Sequence, residues 1–211
     1  MKKIIFLIAL FAISLPKIYA QQKAVTETGE EVFLYDDGTW KFKNEKNIKK
    51  VEVFENKKKF VKNNKSTFLL KSSKLSVGFW INPKIWSFKK AESNEEAEYE
   101  LQLKGGDLYG MILTEKVEIP LETLKYIALE NGKSAAPDLK VVHEEYRNVN
   151  GLRVLLLKLN GTMQGIKFSY YGYYYSNENG TVQFITYTAQ NLLDGYLKDA
   201  EILLNGITDL K

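Results

Sequence analysis

Cysteine is absent from this chain, and histidine occurs once, at His143. The first absence excludes disulfides, thiol nucleophiles and thiolate metal sites, so packing alone must hold the fold. It also removes the lipid-accepting cysteine that a bacterial lipoprotein carries directly after its leader, where this chain has Gln21 and Gln22. With one histidine, metal ligands reduce to carboxylates, which favour calcium or magnesium. Asp36-Asp37-Gly38 lacks the alternating Asp/Asn ladder and distal Glu of a calcium loop, and turn chemistry accounts for it. No catalytic residue, metal or cofactor is expected.

Long apolar runs are also scarce. The one at the start, residues 4–15, follows Lys2 and Lys3 and stops at Pro16 and Lys17. A bilayer-spanning helix needs roughly twenty apolar residues, so this run is too short to span. A charged beginning, an apolar centre and a small residue near the cut define a secretory signal peptide, with cleavage expected after Ala20. Ile18 is bulky for its place before the cut, which leaves the site open by a residue or two. The leader carries Lys2, Lys3 and Lys17 and no acid, so the formal charge of +4 falls to +1 on its removal. The mature chain is nearly neutral, which argues against a global nucleic-acid footprint. Export to the periplasm or exterior, as a soluble protein without stable membrane insertion after cleavage, is the expectation.

What is present is a core-forming composition, 45% hydrophobic and 13% aromatic. Residues 31–35 and 39–42 alternate around Asp36-Asp37-Gly38 and read as a small hairpin within an N-terminal segment, residues 21–43. The stretch 26–42 resembles a short pattern found after the signal peptide in secreted proteins of Gram-negative bacteria, to which no chemistry is assigned. Residues 44–71 are rich in Lys and Asn, including Lys57-Lys58-Lys59, and read as a linker; a polyanion-binding patch is the alternative.

The main domain, residues 72–211, begins with a strand at Leu75, Val77, Phe79 and Ile81. Residues 98–104 and 108–113 pair across Gly105-Gly106-Asp107. Pro120 opens a helix that Gly132 can stop. Asn150-Gly151 closes a hairpin of 141–149 and 152–160, whose second strand is apolar on both faces and therefore central. Strands at 167–175 and 181–188 follow, and residues 191–207 place Leu193, Leu197, Ala200 and Leu204 at helical spacing. The order gives an α+β domain, a meandering antiparallel sheet covered by helices.

The strand entering Asn82-Pro83-Lys84-Ile85-Trp86, the Gly151 hairpin, the tyrosine-rich penultimate strand and the closing helix together resemble the PsbP-like fold. That fold is shared by extrinsic photosystem subunits and a Ran-binding nuclear import factor. The resemblance implies an α/β/α layered sandwich and a role in binding or assembly, and transfers no catalytic residue.

In the penultimate strand Tyr171, Tyr173 and Tyr175 share one face while Phe168, Tyr170 and Tyr174 share the other. One set can be core and the other an exposed stripe; Tyr171, Tyr173 and Tyr175, with Trp86 at the rim, are the candidate binding residues for a protein or glycan of the cell envelope. Two other functions compete. A carboxylate-dependent hydrolase of envelope polymers would use Glu92, Glu95, Glu96, Glu98 and Glu100, or His143 with Glu145, and needs carboxylates converging on a cleft. A carrier of a small apolar ligand needs an enclosed cavity.

Overall fold

The computed structural model describes residues 22–25, 31–35, 40–43, 53–92, 94 and 96–210. The leader and its cleavage site, the Asp36-Asp37-Gly38 turn, the first part of the Lys-rich stretch and Glu95 lie outside the described residues. The chain divides into two units, residues 1–52 and 53–211.

In the first unit β1 (Gln22–Val25), β2 (Glu31–Leu34) and β3 (Trp40–Phe42) form an antiparallel sheet in that order. Val32 lies opposite Phe42 and Leu34 opposite Trp40. Strand β1 adds a member beyond the hairpin pattern, and Lys43 pairs with Glu31 across the sheet.

The second unit opens with β4 (Glu55–Phe60) and β5 (Phe68–Lys71). The linker expected over 44–71 is therefore corrected where it is described, because two strands occupy it. Its composition misleads for a physical reason. β4 is an edge strand that buries Phe60 and exposes Lys57, Lys58 and Lys59, and lysines on an edge discourage further strand pairing.

The remaining elements are β6 (Val77–Ile81), β7 (Trp86–Lys90), β8 (Ala97–Leu103), β9 (Tyr109–Glu115), α1 (Leu121–Ala135), β10 (Lys140–Val149), β11 (Leu152–Met163), β12 (Ile166–Asn177), β13 (Gly180–Ala189), α2 (Leu193–Leu204) and β14 (Ile207–Asp209). Eight strands form one sheet in the order β4-β10-β11-β12-β13-β9-β8-β7, antiparallel except for β4 beside β10. Strand β6, expected at the head of that meander, instead sits between β14 and β5 in a separate three-stranded sheet. β11 is interior, as its two apolar faces require: Val154 and Leu156 enter one core, and Leu155, Leu157 and Leu159 the other.

The large sheet separates those two cores. On one face lie α2 and the small sheet, enclosing Phe79, Tyr173, Phe184 and Leu204; on the other, α1 packs against β11 and β12. α1 begins at Leu121, one residue after the expected Pro120, which caps it in an extended conformation, and runs past Gly132 to Ala135. Gly132 is a packing notch rather than a stop, since a Cβ there would overlap Leu139.

The Asn150-Gly151 turn does more than close a hairpin. Both residues have positive φ, 51° and 89°, as a two-residue turn of this twist requires. The Asn150 side chain donates to the Asn205 (2.8 Å) and Ile207 (2.7 Å) carbonyls and accepts from the Lys62 N–H (2.9 Å), binding the exits of β4 and α2 to the hairpin. Asn150→Gly keeps the turn but removes three hydrogen bonds, and should lower stability by about 2–3 kcal/mol in urea denaturation. Asn150→Ala should cost about 1 kcal/mol more, because alanine resists positive φ.

Candidate functional site

The structure gathers the four sequence-predicted site residues into one core. Tyr171, Tyr173, Tyr175 and Trp86 are 5%, 0%, 8% and 2% exposed, beneath α2 and the small sheet. The expectation that they form an accessible stripe is corrected: alternation sorts the tyrosines into two faces, but the choice of covered face belongs to α2. The tyrosine hydroxyls are satisfied internally, whereas the buried Trp86 Nε1 has no hydrogen-bond partner among the described residues. Tyr171 donates to Glu201 (2.9 Å), Tyr173 donates to Asn205 (2.8 Å), and Tyr175 accepts from Asn177 (3.0 Å). Burial pushes Tyr173 up to about 12, against the opposing influence of Arg147, and raises Tyr171 and Tyr174 as well.

Arg147 is the hub of this core. Its guanidinium donates to Glu145, Glu201 (2.9 Å) and Tyr173 (3.0 Å), and lies 4.3 Å from the centre of the Phe60 ring. Glu145 also accepts from Asn56 (3.1 Å). His143 is exposed and stands 3.8 Å from Glu145, a carboxylate already committed to Arg147. In the acidic stretch, Glu98 is held by partners of its own. Burial works to raise Glu98, but bonds from the Ser73 N–H, Thr114 and Ser72 outweigh it and hold its carboxyl below the usual range. Glu92 and Glu100 both engage Lys89, at 2.9 and 3.4 Å. Among the described residues no group of three or more His, Asp or Glu is placed to hold a metal ion. No described helix is long and apolar enough to cross a membrane.

The accessible aromatics lie on the opposite face of the same sheet. The eight strands span about 34 Å at their usual spacing. α1, with 15 residues, is about 22 Å long and about 10 Å wide. One such helix covers part of the face, and beyond it no other described helix packs on this face of the sheet. There Tyr170, Tyr187, Tyr109, Gln102 and Ser87 stand in cross-strand register on β12, β13, β9, β8 and β7. The Tyr109 and Tyr187 rings stack with centres 5.5 Å apart, and Tyr170 meets Tyr187 edge-on at 6.0 Å. All three are half-buried, and none of their hydroxyls has a protein partner among the described residues. Burial raises the pKa of Tyr170 and of Tyr187, the latter with help from Glu100.

Two hollows share Tyr109 and Tyr187 of this ladder, and a third, of about 220 Å³, runs from Tyr170 to α1. Of the first two, one, of about 610 Å³, is lined by Met111, Met163, Ile166 and Phe168 together with the tyrosines. The other, of about 330 Å³, is lined by Ser87, Lys89, Glu100 and Gln102 and shares Tyr109 and Tyr187. Sequence reasoning missed Tyr109 and Tyr187 and treated Tyr170 as the alternative face. The usable signal was the alternation in β12; the cross-strand register that aligns the three tyrosines is not visible in any one strand.

Two outcomes follow from the buried groups. Arg147→Met strands Glu145 without its partner and should cost about 3–5 kcal/mol in urea denaturation, much of it recovered by adding Glu145→Leu. In alkali, the unfolded Tyr173 ionises near 10 and the folded one near 12. Stability is therefore complete below pH 10 and should fall as pH rises toward 12, by about 1.4 kcal/mol per pH unit for each tyrosine that ionises only when unfolded. A denaturation midpoint unchanged between pH 9 and 11.5 would contradict the buried placement.

No family model matches the chain, and no curated protein is significantly similar to it in sequence. Solved structures resemble it in fold. The solution structure of the cyanobacterial PsbP protein (CyanoP) of Synechocystis matches with a TM-score of 0.51 at 12% identity, covering 70% of this chain and 94% of that one. A crystal structure from Bacteroides thetaiotaomicron matches at 0.43 with 12% identity, covering 64% and 46%. LpqN of Mycobacterium tuberculosis, described as involved in cell envelope biogenesis, matches at 0.36 with 9% identity, covering 71% and 80%. With its mixed eight-stranded sheet and two described helices, this chain has a PsbP-like α+β fold.

Proposed function

We propose that the protein is an exported, non-enzymatic binding module of the bacterial cell envelope. It recognises a protein or glycan through the open aromatic half of its large sheet, with Tyr170, Tyr187 and Tyr109 as contact residues. The observation that carries this reading is the contrast between the two faces of one strand. Tyr171, Tyr173 and Tyr175 have their hydroxyls bonded inside the core, whereas Tyr170 and its neighbours Tyr187 and Tyr109 present partly exposed rings whose hydroxyls have no partner among the described residues. Tyrosine in that state offers a large rigid apolar area and a polar tip, which suits both sugar rings and protein side chains. Export rests on the leader-like N-terminus.

The absence of chemistry in this reading is supported by the engagement of Glu145 with Arg147, of Glu98 with Thr114, and of Glu92 and Glu100 with Lys89. The carrier alternative draws on the apolar hollow, but its lining residues Met163 and Ile166 are 40% and 65% exposed, so the hollow opens to solvent. The test is retention of envelope proteins and polymers by the immobilised protein, compared with a Tyr109→Ala/Tyr187→Ala variant. Tyr126→Ala, on the exposed side of α1, serves as control. The reading expects a retained partner whose binding weakens tenfold or more in the double variant and is unchanged in the control. Equal retention by all three proteins would overturn it.

A further inference from the structure

The two hollows that share Tyr109 and Tyr187 differ in chemistry, and the difference specifies a ligand. The larger is lined mostly by apolar side chains, among them Met111, Met163, Ile166, Phe168 and Leu192, with Asp107, Thr188 and the tyrosines supplying its polar groups. The smaller presents a hydroxyl, an amide, an ammonium and a carboxylate from Ser87, Gln102, Lys89 and Glu100. Between them the stacked tyrosine pair supplies ring faces and hydroxyls that have no partner among the described residues. We infer that this face binds a single-chain amphiphile, with its alkyl chain in the Met163–Ile166 hollow and an uncharged, hydroxyl-rich head, such as a glycosyl group, on Tyr109, Tyr187 and Gln102.

Charge selects the head. Lys89 is the one cation lining either hollow among the described residues, and Glu92 and Glu100 already hold it at 2.9 and 3.4 Å. Asp107, exposed at the edge of the apolar hollow, adds a further negative charge. An anionic head would meet Glu100 and Asp107 with no free cation to receive it. Sugar hydroxyls, by contrast, can accept from Gln102 and the tyrosines and donate to Glu100. The volume suits the tail as well, since about 610 Å³ lies within the range that small-molecule sites use. The position of Ile166 then acquires a purpose. It sits beside the tight Gln164-Gly165 turn, both residues at positive φ, which holds a large apolar side chain in solvent at the mouth of the hollow.

This inference deepens the binding-module reading and rests on it. The experiment titrates the purified protein with decyl maltoside, octyl maltoside, maltose and decanoate below their micelle concentrations. Calorimetry gives the affinities, and the methyl resonances of Met111 and Met163 report the location. Decyl maltoside should bind with shifts at both methionines, octyl maltoside roughly tenfold more weakly for its two fewer methylenes, and maltose and decanoate each at least tenfold more weakly than decyl maltoside. Ile166→Asp and Met163→Ser, both at exposed positions, should each weaken decyl maltoside about tenfold without lowering the melting temperature. Maltose binding as tightly as decyl maltoside overturns the alkyl-chain site, and decanoate binding equally well overturns the uncharged head; either result overturns the inference but leaves the module reading intact. If none of the four probes binds, the amphiphile falls; if the methionine resonances are also unmoved by envelope extract, the module reading falls with it.

Discussion

Unequal cover on the two faces of one large sheet is the constraint on which the rest of this structure depends. Eight strands create two broad apolar surfaces, and the chain spends α2 and a whole three-stranded sheet on one of them. The other receives α1 and the loops around it. An apolar face that the described elements of its unit do not finish covering is stable only if its exposed part is tolerable to water. Here that part combines half-buried tyrosines, with their polar tips, with the exposed Met163 and Ile166, and is bordered by Gln102, Ser87 and Glu100. The surface that could meet a partner is thus a product of the architecture rather than of any motif.

The covered face has the opposite problem, because it buries tyrosines and an arginine. Arg147 resolves it by taking Glu145, Glu201 and Tyr173 together, while Tyr171 and Asn205 complete the set. Glu201 and Asn205 come from the last turn of α2 and the residue after it, so the polar cluster also fixes where that helix lies on the sheet. Buried ionic groups add little net stability compared with apolar packing, but each is costly when its partner is removed, and that asymmetry favours a single arrangement. Asn150 performs a related task at the sheet's end by joining β4, the β10–β11 hairpin and the α2–β14 connection.

Much of this was legible in the sequence. The Asn150-Gly151 turn, the two-sided apolar pattern of β11, the helix after Pro120 and the amphipathic closing helix are local signals, each set by backbone sterics or by a short hydrophobic period. β4 and β5 were hidden because a lysine-rich edge strand has the composition of a solvated linker. The small sheet was hidden because pairing β6 with β14 joins segments more than a hundred residues apart, and three-residue strands carry almost no pattern of their own.

By itself, the sequence determined the class of fold, the approximate strands and helices, the lack of thiol chemistry and the division of β12 into two tyrosine faces, since these depend on covalent composition and on periodicities of two and 3.6 residues. Only the tertiary structure decided which tyrosine face is core and which is open. Alternation is symmetric between the two sides of a sheet, and that symmetry is broken by long-range packing, in which α2 and the small sheet lie over Tyr171, Tyr173 and Tyr175, while α1 on the other side leaves Tyr170, Tyr187 and Tyr109 only half-buried.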